Sequence, residues 1–179
     1  MDITKLKDKN EGLALTLSDI IAEKARKLCI EKDIIKDDST YLTGEDSSKI
    51  IKLFGGELKT RKEHNDFLNE EEGFKVYCDS EDKDYTLNVL TGLGIAFFYM
   101  DKMKDNDKIE NFPENYDDYF MMNVTSMFAR GFLMPRSTFE STVIKYSDSG
   151  KCNVTGVAKQ YKISVFDVLT RGEELHNWS

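Results

Sequence analysis

Apolar and polar positions follow two different periods along this chain, and the changes of period divide it into elements. Past residue 16, Ile20, Ile21, Ala25 and Leu28 recur at the spacing of one helix face, with Lys24, Arg26 and Lys27 on the other side. Thr16 and Asp19 have the spacing of a capping box, so a helix is predicted to begin near Thr16 or Ser18. A second helix follows the Thr43/Asp46 pair, buries Ile50, Ile51 and Phe54, and stops at Gly55 and Gly56, where a left-handed C-cap suits glycine best. Leu58 then begins extended chain, and the polar residues 63–72 read as a loop. Phe74, Val76 and Cys78 alternate with Lys75 and Tyr77, the period of a half-buried strand, and residues 79–84 supply the turn that ends it.

Residues 86–101 are apolar almost all round, with Leu87, Leu90, Leu93, Ala96 and Phe97 on one helical track and Val89, Ile95 and Phe98 on other faces. This pattern predicts a buried central helix. Residues 102–116 are charged, carry Pro113 and form a connector. From about residue 117, Met121, Thr125, Phe128, Ala129 and Phe132 make a helical stripe that Pro135 terminates. Ser137 and Glu140 have capping-box spacing ahead of a short helix through Val143 and Ile144. Residues 153–175 read as helix, tight turn at 162–164, and a last helix capped by Ser164 with Asp167. The predicted class is α+β, mostly α, with a small sheet and no internal repeat. One domain spans residues 1–179: N-terminal helices and loops over 1–72, a core over 73–135 and a helical tail over 136–179.

Composition narrows the function. A chain of 179 residues that is 40% hydrophobic and 11% aromatic is long enough for one packed core. No signal peptide or membrane span is expected, because residues 1–12 are polar and the longest apolar run, 87–100, is too short and interrupted. Cys29, Cys78 and Cys152 are odd in number and contain no CxxC pair, as in a cytoplasmic protein with ordinary thiols. The net charge of −8 argues against binding nucleic acid through its phosphates and leaves a basic protein partner open. Acids cluster at Glu70, Glu71 and Glu72, at Asp79, Glu81, Asp82 and Asp84, and at Glu114, Asp117 and Asp118. The first two clusters are the candidate partner-binding residues, although solvated surface charge is the commoner use of such runs.

The order of elements resembles the ImmA/IrrE metallopeptidases, a zincin-like family. The matching stretches are FKVYCD at 74–79, TGLGIAFFY at 91–99, TSMFARGFLMP at 125–135 and AKQYKISVFDVLTRGEEL at 158–175, with IIKLFGGELK at 50–59 as a weaker counterpart. The family carries HELGH on the helix after the strand, where two imidazoles four residues apart hold zinc and the glutamate between them serves as general base. Aligned on Leu93–Gly94, those positions are Thr91, Gly92 and Ile95, and the region of the third, carboxylate ligand, 121–124, holds no acid. The two histidines, His64 and His176, each stand alone in the sequence and read as surface residues. The resemblance therefore implies a degenerate peptidase with no metal and no cofactor. Ile95 is expected to seal the former site with core, and Gly92 and Gly94 to mark close packing by a neighbouring element.

Other chemistries have weaker sequence support. GGELK is not a P-loop, GLG at 92–94 is too short for a dinucleotide fingerprint, and neither histidine supplies a base for a nucleophile. The tail has helix-turn-helix spacing, with Ala158, Ile163 and Val168 as its core. Its last helix, however, sets Asp167, Glu173 and Glu174 against Arg171 alone, a face expected to repel phosphate. The leading expectation is a catalytically inactive protein that binds another protein stoichiometrically, in a phage or mobile-element setting. A repressor or a host defence nuclease such as a CRISPR effector is the candidate partner. The alternatives are a hydrolase with an unrecognised site and an acidic transcriptional regulator that uses the tail.

Overall fold

A computed structural model describes residues 3–37, 41–62, 65–70, 73–99 and 118–176. Within them lie seven helices and a three-stranded sheet: α1 (Ile3–Glu31), α2 (Gly44–Leu53), β1 (Gly56–Thr60), β2 (Asp66–Glu70), β3 (Gly73–Cys78), α3 (Tyr85–Tyr99), α4 (Asp118–Leu133), α5 (Arg136–Lys145), a two-residue ribbon β4 (Ser147–Asp148) and β5 (Lys151–Cys152), α6 (Val154–Tyr161) and α7 (Val165–His176). The mostly α, α+β class is the one expected. No described helix is long and apolar enough to cross a membrane.

The centre of the sheet is β3, whose Phe74, Val76 and Cys78 are buried as their alternation predicts. β1 runs parallel to it, pairing Gly56 with Phe74 through Thr60 with Cys78; β2 runs antiparallel on the other edge, pairing Asp66 with Tyr77 through Glu70 with Gly73. α3 packs between this sheet and α4, and α4 in turn packs along α1. Val89, Leu90, Leu93, Ala96, Phe128, Ala129 and Phe132 are fully buried at these contacts, and the apolar cluster is continuous from Ala14 to Val168. Edge-on contacts of Phe97 with Phe54 (centroids 4.9 Å apart) and with Phe128 (5.3 Å) link α2, α3 and α4.

Both helix-start expectations that held rest on caps closed within four residues. Thr43 accepts from the Asp46 amide while the Asp46 carboxylate accepts from the Thr43 amide, a reciprocal capping box. Ser164 and Asp167 behave likewise: Ser164 Oγ accepts from the Asp167 amide at 3.1 Å and donates to Asp167 Oδ2 at 2.5 Å.

Two other boxes are not caps. α1 begins at Ile3, well before Thr16, and Thr16 Oγ1 donates to the Gly12 carbonyl inside the helix. A helical serine or threonine can satisfy its hydroxyl on the preceding turn, so spacing alone does not mark a start. α5 begins at Arg136 behind Pro135, without a side-chain cap, and Ser137 lies within the helix.

The segment 63–72 is not all loop, because β2 occupies part of it: Phe67 stacks on Phe74 with centroids 5.8 Å apart, and the neighbouring strand supplies the ladder. The connector expected at 102–116 lies outside the described residues, as do Glu71 and Glu72.

Candidate functional site

Two places present surface that a ligand or partner could reach, and the first is an open cleft beside α3. It encloses about 320 Å³ between the start of β2, the end of β3 and one face of α3. Its floor is Phe67, Val76, Gly92 and Ile95, and its polar groups come from Asn65, Asp66, Asn88 and Thr91. The three positions where the resemblance puts zinc chemistry, Thr91, Gly92 and Ile95, therefore lie together on one wall.

Ile95 does not seal that region. It is half-buried and lines an open cleft beside β2 and β3, where a sealed core had been expected. The expectation for the glycines holds: a Cβ on Gly92 would come within 2.6 Å of Val76 Cγ1, and one on Gly94 within 3.0 Å of the Phe128 ring. Val76 thus fills the space beside residue 92 that any side chain there would need.

The cleft's polar groups are engaged locally. Thr91 Oγ1 donates to the Leu87 carbonyl at 2.9 Å, and Asn88 Nδ2 donates to Asp82 Oδ2 at 3.1 Å. Burial pushes the Cys78 thiol up to about 12, with the Asp82 carboxylate adding to the shift, so this sulfur stays protonated and is a poor nucleophile at neutral pH. Among the described residues no group of three or more His, Cys, Asp or Glu is placed to hold a metal ion. His64 and the side chain of His176 lie outside them.

The second place is the end of the molecule where α7 begins. Of the acids expected on the outer face of α7, Glu173 is exposed, whereas Asp167 and Glu174 turn inward. Arg171 is fully buried and donates to Asp19 Oδ1 of α1 (2.8 Å), to Glu174 (3.3 Å) and to the Met134 carbonyl (3.3 Å). Glu174 also accepts from Arg130 Nε of α4 at 2.7 Å, and Asp167 is buried in its cap. With these groups turned inward, the outer face carries Val165, Phe166 and Leu169, exposed by 41%, 72% and 41%. The signal for this second apolar face was in the sequence: Val165, Phe166 and Leu169 interleave with Val168 and Leu175 at helical spacing.

Of the acidic candidates, residues 79–84 form an ordered turn. Asp79 Oδ1 accepts from the Glu81 amide at 2.9 Å, and Asp82 Oδ1 from the Asp84 amide at 2.9 Å. Partial burial raises the Asp84 carboxyl above its ordinary value, and the Asp167 and Asp82 carboxylates push it the same way against the opposing effect of Lys83. Glu70 closes β2 on the far side of the sheet from β1 and does not belong to this turn.

Searches among known proteins return no matching family model, no matching curated protein and no matching solved structure. The likeness to the ImmA/IrrE peptidases accordingly rests on the sequence stretches themselves.

Proposed function

We propose that this chain is a non-catalytic relative of ImmA/IrrE-like peptidases that acts by binding another protein one to one. The observation that carries the reading is the outer face of α7, where Phe166 stands 72% exposed between Val165 and Leu169 on a helix anchored from behind. Contiguous apolar surface held rigidly in water is characteristic of interaction sites. The packing of Val76 against Gly92 supports the non-catalytic part, since a glutamate at that helix position would overlap the valine methyls. A phage or mobile-element setting, with a repressor or defence nuclease as partner, belongs to the same reading and comes from the resemblance.

The cleft favours a second reading, a hydrolase that places substrate against Asn65, Asn88 and Thr91; its volume of about 320 Å³ is at the small end for ligand sites. Capture of the partner from the native host, followed by single-turnover incubation with it, separates the two. An intact partner in a one-to-one complex is expected. Cleavage products, or stoichiometric zinc in protein purified without chelator, would establish the hydrolase instead. The tail as a DNA reader loses support from the apolar outer face of α7, and duplex retardation at physiological salt would restore it.

A further inference from the structure

Three loops that are distant in sequence meet where α7 begins. The Lys162 ammonium lies 4.2 Å from the centre of the Tyr41 ring, joining the α6–α7 turn to the segment before α2. Gly44, three residues on, faces Tyr85 so closely that a Cβ there would sit 3.3 Å from the ring, which joins that segment to the start of α3. Asp84 immediately precedes Tyr85, so the acidic turn 79–84 is joined to the same corner. Lys162 holds its turn in a left-handed conformation (φ 55°, ψ 47°), so the Tyr41 contact and the direction of α7 are set together.

The surface thus assembled has an apolar part and a charged part. Tyr41, Val165, Phe166 and Leu169 are all more than 40% exposed. Beside them the turn 79–84 carries four carboxylates against one lysine. Asp79 and Asp82 spend acceptor oxygens on backbone amides and on Asn88, which fixes the turn and holds Glu81 and Asp84 in position.

Charge selects the occupant. A net charge of −8 opposes docking of a second copy of this chain, and an acidic rim opposes nucleic acid and anionic membranes alike. A cationic protein segment gains on both counts, because its apolar residues cover the α7 face while its Lys and Arg meet the turn.

We propose that Tyr41, Val165, Phe166 and Leu169, together with the carboxylates of Glu81 and Asp84, form the docking surface for a cationic, amphipathic segment of a protein partner. This deepens the non-catalytic binding reading and rests on it. Apolar anchors of the partner seat on Phe166 and Leu169, and its basic residues lie over the turn. Rim charges of this kind chiefly govern association rate and salt dependence, whereas the aromatic anchor governs residence time.

The test uses the full chain, labelled with ¹⁵N, and a synthetic helical peptide with leucines on one face and lysines on the other. Its twin with glutamate for each lysine, a short DNA duplex and anionic vesicles are the comparison probes. The lysine peptide is expected to shift amides at 41, 81–85 and 162–170, with affinity falling as salt rises. Phe166→Glu should weaken it about tenfold or more, and Glu81→Gln with Asp84→Asn should weaken it several-fold and flatten the salt dependence. No binding, shifts centred on the α3 cleft, equal binding of the glutamate twin, or tighter binding of duplex or vesicle would each overturn the assignment. Mass spectrometry of the peptide recovered from the same samples keeps the two claims apart. Cleaved peptide defeats the non-catalytic reading, and shifts away from the patch defeat only the surface.

Discussion

The two sides of α7 differ in kind: Val168 and a cluster of charges face inward, and large apolar side chains face out. Its inner side carries a buried charge cluster, Arg171 with Asp19, Glu174 and Arg130, and its outer side carries Phe166 and Leu169 into solvent. Ordinary surface helices turn an apolar stripe inward, as α7 does with Val168 and Leu175, but keep their charges outside. Buried ion pairs are a weak source of net stability, but their directional hydrogen bonds fix one orientation where greasy contacts tolerate several. In α7 the buried charges add direction to the packing of Val168, while Phe166 and Leu169 remain exposed.

Several substitutions can break or sharpen that contrast. Arg171→Ala removes the cation that Asp19 and Glu174 share, leaving Glu174 with Arg130 and Asp19 with the more distant Arg136, and is expected to destabilise the fold by about 3 kcal/mol, measured by urea denaturation. A loss of only a few tenths would mean that the inner cluster does not anchor the helix.

Gly92→Ala should come next, because its methyl would meet Val76 in the wall of the cleft. Overpacking of roughly 1–3 kcal/mol is set against about 1 kcal/mol of gained helix propensity, so a net loss is expected in the same titration. A stabilised variant would show that the cleft wall is loose and that the contrast between a rigid α7 and the α3 face is sharper than drawn.

Ser164→Ala removes the cap that starts α7 and should cost about 1 kcal/mol, with faster amide exchange confined to the first turn of the helix. Phe166→Ala should alter stability by less than about 0.5 kcal/mol, since the side chain stands mostly in water. A larger loss in thermal melts would mean that Phe166 packs on the protein itself and is not displayed for a partner.

The smallest effect concerns pH. The folded protein holds a proton on Asp84 more tightly than the unfolded chain does. Its contribution therefore favours the fold below the ordinary carboxylate value and is lost as pH rises through the raised one. Asp84→Asn should thus melt slightly higher than the parent at pH 7 and at the same temperature at pH 3. Equal melting at both would show that the fold does not withdraw the Asp84 carboxylate from water.

Much of the fold was legible because it is local. The strand at Phe74, Val76 and Cys78, the boxes at Thr43/Asp46 and Ser164/Asp167, and the stripe from Met121 to Phe132 all carry their signals within one or two turns. Legibility failed where the partner was distant. Phe67 becomes part of a strand because Phe74 lies beside it, and Asp19 passes for a capping residue until Arg171, far along the chain, claims its carboxylate. At the candidate sites the sequence identified Thr91, Gly92 and Ile95 as neighbours on a helix, yet only the packing of the ends of β2 and β3 beside α3 made them the wall of a cleft.

The sequence by itself determined the periods, the caps and the absence of HExxH from the helix after β3, because each depends on residues close together in the chain. The tertiary structure alone decided which way the charges of α7 turn. Arg171 can be buried only where Asp19, Glu174 and the Met134 carbonyl converge on its guanidinium, and three segments must pack before that convergence exists. Once those groups point inward, helical geometry leaves Phe166 and Leu169 facing out.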